Sequence, residues 1–160
     1  MSIPAAKITK LEDCPDWLDR TLAKAYWEAE YHLEWPDLGD KGSTLFRFEA
    51  GSKVLEQYLD ESNIQSFAII TAFNPRSVQL PQEENLLHHA ALHQRLSLEC
   101  RMLLNSSSQN SDGSWQESGF CALDIDLKKA AEIGIEFGQH AIVCWKRGSP
   151  VALWWLYRQL

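Results

Sequence analysis

Polar residues gather where the apolar runs of this chain stop. Thr71, Asn74 and Ser77 leave the run F-A-I-I-T-A, and Glu84 and Asn85 open the helical pattern behind Pro81. Glu117 and Ser118 stand at the start of another apolar run, and Gln139 follows a predicted helix end. Element ends are where side chains and helix N-termini converge on ligands in α/β proteins. A helix starting near Pro81 would also offer free N–H groups to an anion. On that helix Asn85, His88 and His89 share one face by their i, i+3, i+4 spacing. Thr71, Asn74, Ser77, Glu84, Asn85, His88, Glu117, Ser118 and Gln139 are therefore the candidate ligand-binding set. The plainer reading stands beside it: Asn-Pro initiates turns, and Asn85 and Gln139 can satisfy buried backbone groups without any ligand.

Sharper chemistries find less support. His89 and His93 are four apart, a spacing that suits zinc, yet there is no H-E-x-x-H and no cysteine cluster to complete four ligands; no metal and no cofactor is expected. Ser118 beside Glu117 lacks the G-x-S-x-G context of an activated nucleophile. No G-x-x-x-x-G-K-[ST] or G-x-G-x-x-G is present, which excludes the usual phosphate loops. Glu84 and Glu117 remain as carboxylates able to act as acid and base.

The elements that must position these residues read as α+β. Residues 15–33 repeat apolar positions at helical spacing behind Asp13, and 44–49 alternate as a short strand. A helix follows Ser52, and 67–72 form a strand apolar on both faces, as a central strand is. A long helix runs from Pro81 to about residue 99. Residues 101–104 read as a strand, and 105–114 (N-S-S-S-Q-N-S-D-G-S) as a low-complexity flexible loop or hairpin tip. Then come a strand over 118–125, a helix over 126–137 behind Asp126, and two strands, 141–145 and 151–157, flanking K-R-G-S-P. The expectation is a single domain over 1–160, a mixed sheet of about six strands with about four helices packed on it. Residues 1–40 form an N-terminal helical segment, and 44–157 the α+β core. In the last strand Trp154 and Trp155 point to opposite faces, so both are core if that strand is covered and one is an exposed stripe if it is an edge.

Bulk properties bound the partners. Twenty-two Asp and Glu against 15 Lys and Arg give a net charge of −7, which repels phosphate backbones, so no nucleic-acid partner is expected. Four scattered cysteines and a start without an apolar leader point to reduced thiols and a cytoplasmic protein. No apolar run of about 18 residues exists to span a membrane.

The segments F-A-I-I-T-A-F-N-P-R-S, E-N at Glu84-Asn85, W-Q-E-S from Trp115 and F-G-Q-H-A-I-V from Phe137 occur in this order. Together they resemble the signature of a bacterial family known as domain of unknown function 3293. The resemblance spans roughly residues 44 to 156 and implies no particular activity. One departure is local: the family usually has Arg-Asn where this chain has His88-His89. If that pair touches a ligand, the contact is altered here. The function expected is a binding or regulatory domain for a small polar ligand or a protein partner. The alternative is a small hydrolase- or transferase-like enzyme using a pocket around Asn74, Glu84 and Glu117.

Overall fold

Each central strand of this protein is apolar on both sides because helices cover both. The structure, a computed structural model, describes residues 3–34 and 43–158. In chain order the elements are β1 (Ala6–Ile8), α1 (Arg20–Glu28), β2 (Glu30–Glu34), β3 (Ser43–Phe46), α2 (Lys53–Glu61) and β4 (Ser66–Thr71). They continue with α3 (Gln82–Ser97), β5 (Met102–Gln109), β6 (Gln116–Leu123), α4 (Leu127–Glu136), β7 (Ala141–Lys146) and β8 (Ala152–Trp155).

The strands form one eight-stranded sheet in the order β1-β8-β7-β4-β6-β5-β2-β3, with every neighbouring pair antiparallel. This corrects the expected mixed sheet of about six strands. The four α-helices agree with expectation. Two strands escaped the sequence pattern for physical reasons. β1 has only three residues, too few to establish a period. β2 hides in the expected helix 15–33, because Ala29 and Leu33 also sit at helical spacing. In the structure α1 starts later, with the Asp19 carboxylate accepting from Leu22 N at 3.0 Å, and ends at Glu28. Tyr31 and Leu33 then point inward as alternate strand residues. The segment 1–40 is therefore part strand as far as it is described; residues 1–2 and 35–40 of it lie outside the described residues.

β5 supplies another correction. Its N-S-S-S-Q stretch is paired with β6 from Met102↔Leu123 to Gln109↔Gln116, so only the tip beyond Gln109 turns. Serine is a poor strand former by propensity, but here partners on both sides decide.

One face of the sheet carries Phe67, Ile69, Cys121, Leu123, Val143 and Leu153 under Ala23, Trp27, Leu55 and Leu59 of α1 and α2. The opposite face carries Ala68, Ile70, Phe120, Ala122, Ile142 and Cys144 under Leu92 and Leu96 of α3 and Ala130 and Ile133 of α4. Trp154 and Trp155 are both buried, one in each layer, because β1 pairs along β8 and removes its free edge. Burying one such side chain contributes about 2–3 kcal/mol. All four cysteines are free, and burial pushes the Cys121 and Cys144 thiols well up. Among the described residues no helix is long and apolar enough to cross a membrane.

Candidate functional site

Antiparallel register brings distant residues into one row. Tyr31 of β2 lies opposite Ser108 of β5, which lies opposite Glu117 of β6. One step along, Ser106 faces Gly119, which faces Thr71 of β4. These residues share the sheet face that α1 covers. Between that helix and the sheet lies a cavity of about 420 Å³. Leu22, Ala25 and Tyr26 of α1 and Ala29 just past its end line one side of it, and Ile69, Ala141 and Val143 contribute apolar floor. Thr71, Asn74, Ser77, Ser106, Ser108, Gln109, Glu117 and Gln139 supply its polar part, with Trp115 beside them.

Asn74 is the joint of the site. It holds a left-handed backbone, φ 47° and ψ 61°, a conformation asparagine tolerates better than most residues. Its N–H donates to Asn85 Oδ1 at 2.9 Å. Its own Oδ1 accepts from Leu80 N and from Asn85 Nδ2, both at 2.9 Å. With the oxygen occupied twice, the Nδ2 group is aimed away, and it donates to Glu117 Oε2 at 2.9 Å. Asn85, buried on the first turn of α3, therefore acts by fixing Asn74; it does not line the cavity.

Past Pro75, Arg76 and Ser77 are also left-handed, with φ of 58° and 61°. Non-glycine residues held there cost about 1–3 kcal/mol each, offset by neighbouring structure. The neighbour is Gly138, whose carbonyl accepts from Arg76 N at 2.7 Å. Gly138 itself has φ +71°, and a Cβ on it would stand 2.9 Å from Pro75 Cβ, so glycine is required twice over. Gln139, next along, spends its Nε2 on the carbonyls of Phe73 and Phe137 and so ties the β4 exit to the entry of β7.

Glu117 is the chemically distinctive group. Burial raises its carboxyl to about 7, although hydrogen bonds from Asn74 and Trp115 pull the other way. Tyr26 and Tyr31 are pushed well above their usual phenol values, chiefly by burial, with Glu117 adding to both. Tyr31 donates to the Tyr26 carbonyl at 2.6 Å, and the Tyr26 phenol shares a hydrogen bond with Ser77. Ser77 Oγ in turn lies 3.1 Å from His140 Nδ1. His140 is stacked on Trp155, 5.8 Å between ring centroids, and burial lowers its basicity. Trp155 also packs edge-on against Tyr26, so the aromatic tail braces the wall of the cavity.

Of the nine residues singled out from the sequence, Thr71, Asn74, Ser77, Glu117 and Gln139 line the cavity. Thr71 is satisfied locally: its hydroxyl donates to the Ser118 carbonyl and accepts from Phe73 N. Ser118 contributes that carbonyl, while its side chain shares the opposite sheet face with Phe120 by strand alternation. Glu84 is exposed on α3, and His88 lies off the cavity on the same helix. His89 stacks on Phe120 at 4.4 Å, with His93 edge-on to the same ring, on the far side of the sheet. Among the described residues no group of three His, Cys, Asp or Glu is placed to hold a metal ion.

Sequence reasoning missed Tyr26, Tyr31, Ser106 and Ser108. The serines lay inside an apparent loop, and α1 looked peripheral. The Q-H of F-G-Q-H-A-I-V did contain the signal for His140, as a polar pair interrupting an apolar run.

No curated protein and no solved structure matches the chain. The family described as "Protein of unknown function (DUF3293)" matches residues 70–142, a narrower span than the resemblance over 44–156. That span starts in β4 and ends in β7. It contains Asn74, the Pro75–Ser77 turn, Asn85, Glu117, Gly138 and Gln139, while Tyr26 and Tyr31 lie before it. Residues 70–142 of this chain, the segment that builds the polar wall of the cavity, thus match the family DUF3293.

Proposed function

We propose that this protein is a small-molecule-binding domain whose site is the cavity between α1 and the sheet. One observation carries the reading: five of the residues expected to converge line one cavity of about 420 Å³, with Asn74 and Glu117 hydrogen-bonded to each other. That volume lies in the usual range of small-molecule sites, and an apolar floor with a few oriented polar groups is their common composition. Residues from five strands and α1 meet there although they are far apart in sequence. The left-handed backbone at Asn74, Arg76 and Ser77 is the sort of strain that concentrates at ligand sites.

A second reading rests on Glu117. A carboxyl that titrates near 7 is matched to general acid–base work at neutral pH. The enzyme alternative therefore keeps Asn74 and Glu117 and drops Glu84, which stands exposed outside the cavity.

A fragment screen read by protein NMR tests the first reading. Compounds that bind should shift the signals of Trp115, Ser108 and Ala29 together, and Ser108→Phe, which fills the cavity from the floor, should abolish those shifts. Hits that map elsewhere and survive Ser108→Phe would overturn it.

A further inference from the structure

We propose that the occupant of this cavity is a small organic cation, an amine or amidine on an apolar body, held through its charged nitrogen by Glu117. The proposal rests on the ligand-binding reading above. Its first support is the charge of the walls. Among the lining residues there is no Lys, Arg or His, and Glu117 is the one carboxylate. An anionic ligand would meet only a like charge there, and a neutral one would leave the carboxyl as it is.

The second support is a contrast with the seven acids that form ion pairs among the described residues. Glu28, Glu30, Asp60, Glu99, Asp124, Glu132 and Glu136 each have a Lys or Arg partner. Those pairs stand at or near the surface. Glu117 is half-buried, and its hydrogen bonds come from Asn74 and Trp115, both neutral donors. A buried carboxylate without a counter-charge is costly, and a ligand ammonium or amidinium supplies the missing charge together with charge-assisted hydrogen bonds.

The third support is the aromatic content. Tyr26, Tyr31 and Trp115 all line the cavity, and rings attract a desolvated cation. Ser106 and Ser108 add hydroxyl oxygens for the remaining N–H groups, while Leu22, Ile69 and Val143 suit the apolar body.

Ionisation of Glu117 is then part of binding. The titratable groups facing it are Tyr26 from α1 and Tyr31 from β2, both held neutral far above pH 7. Thr71 and Asn74 from the β4 side and Ser108 from β5 carry no charge. Burial lowers the basicity of His140, which lies beyond Ser77.

The test uses the whole chain with benzylamine, benzyl alcohol and benzoate, followed by NMR titration of the Trp115 indole signal and by calorimetry at pH 8. Benzylamine should bind about tenfold more tightly than benzyl alcohol, the scale of one charge-assisted contact, and benzoate should not bind. Benzylamine affinity should rise about tenfold from pH 6 to pH 8 as the carboxyl ionises, while benzyl alcohol affinity should not. Glu117→Gln should reduce benzylamine to the level of benzyl alcohol; if that variant fails to fold, the wild-type comparison and its pH series decide. Benzyl alcohol matching benzylamine at the Trp115 signal would overturn the cation assignment and leave small-molecule binding standing. Failure of all three compounds to move any cavity signal would overturn both.

Discussion

Strand β4 has two very different ends. At the Ser66 end, polar groups are tied to partners of complementary character. Ser66 Oγ donates to the Ile125 carbonyl at 2.7 Å, and Gln65 N donates to Asp124 Oδ1 at 2.7 Å. Arg147 donates to the carbonyls of Ile64 and Leu59 and to Asp60, while Arg101 sits 3.4 Å from Asp124. At Thr71 the chain instead enters a left-handed turn beside an uncompensated carboxyl and an open volume. The first end uses cations to close helix and strand termini. The second omits them just where a buried acid would want one. Such a difference within one strand, six residues long, separates the part of the molecule organised for stability from the part we propose for recognition.

The contrast can be broken first at Asn74. Asn74→Ala removes three side-chain hydrogen bonds, orphans Leu80 N, takes one partner each from Asn85 Nδ2 and Glu117, and puts alanine in a left-handed conformation. The expected loss is about 3 kcal/mol in denaturant unfolding, from several unsatisfied groups together. A change below about 0.5 kcal/mol would mean that the turn is held by something other than this side chain.

Next comes Arg147→Ala, with an expected loss of about 2 kcal/mol from hydrogen bonds to a half-exposed charged group. Ligand titrations should be unaffected, since Arg147 lies at the opposite end of β4. Altered binding would show that the two ends are coupled.

The smallest effect has the opposite sign. Glu117 carries a folded pKa of about 7 against an ordinary 4.5, so the native state holds a proton that the unfolded chain releases. Its contribution is fully present below about pH 4.5 and is lost as pH rises through about 7. Glu117→Gln should therefore stabilise the protein by about 1–2 kcal/mol at pH 8, after discount for partial exposure, with little change at pH 5. His89 and His140, lowered by burial, act in the other direction at acid pH, so the informative quantity is the difference between variant and wild type. Equal melting shifts at both pH values would place the Glu117 carboxyl in ordinary solvent.

Much of this molecule was legible locally. Ser52 and Asp126 cap α2 and α4 as their positions suggested, because a capping side chain bonds backbone two or three residues away. The double-sided apolarity of F-A-I-I-T-A marked β4 as central, and the order of polar motifs pointed to Asn74 and Glu117 together. What failed was non-local. Glu30–Glu34 and the serines of β5 become strands through pairing with residues far along the chain, and neither carries that partner in its own pattern. The sequence by itself determined the elements with strong periodicity or caps, the acid excess, and the residue types around the site. Only the tertiary structure decided the eight-strand antiparallel order, the roof that α1 puts over the sheet, and the absence of any cation beside Glu117 among the described residues. Those depend on register and burial, which set the local dielectric and exist only once distant segments have met.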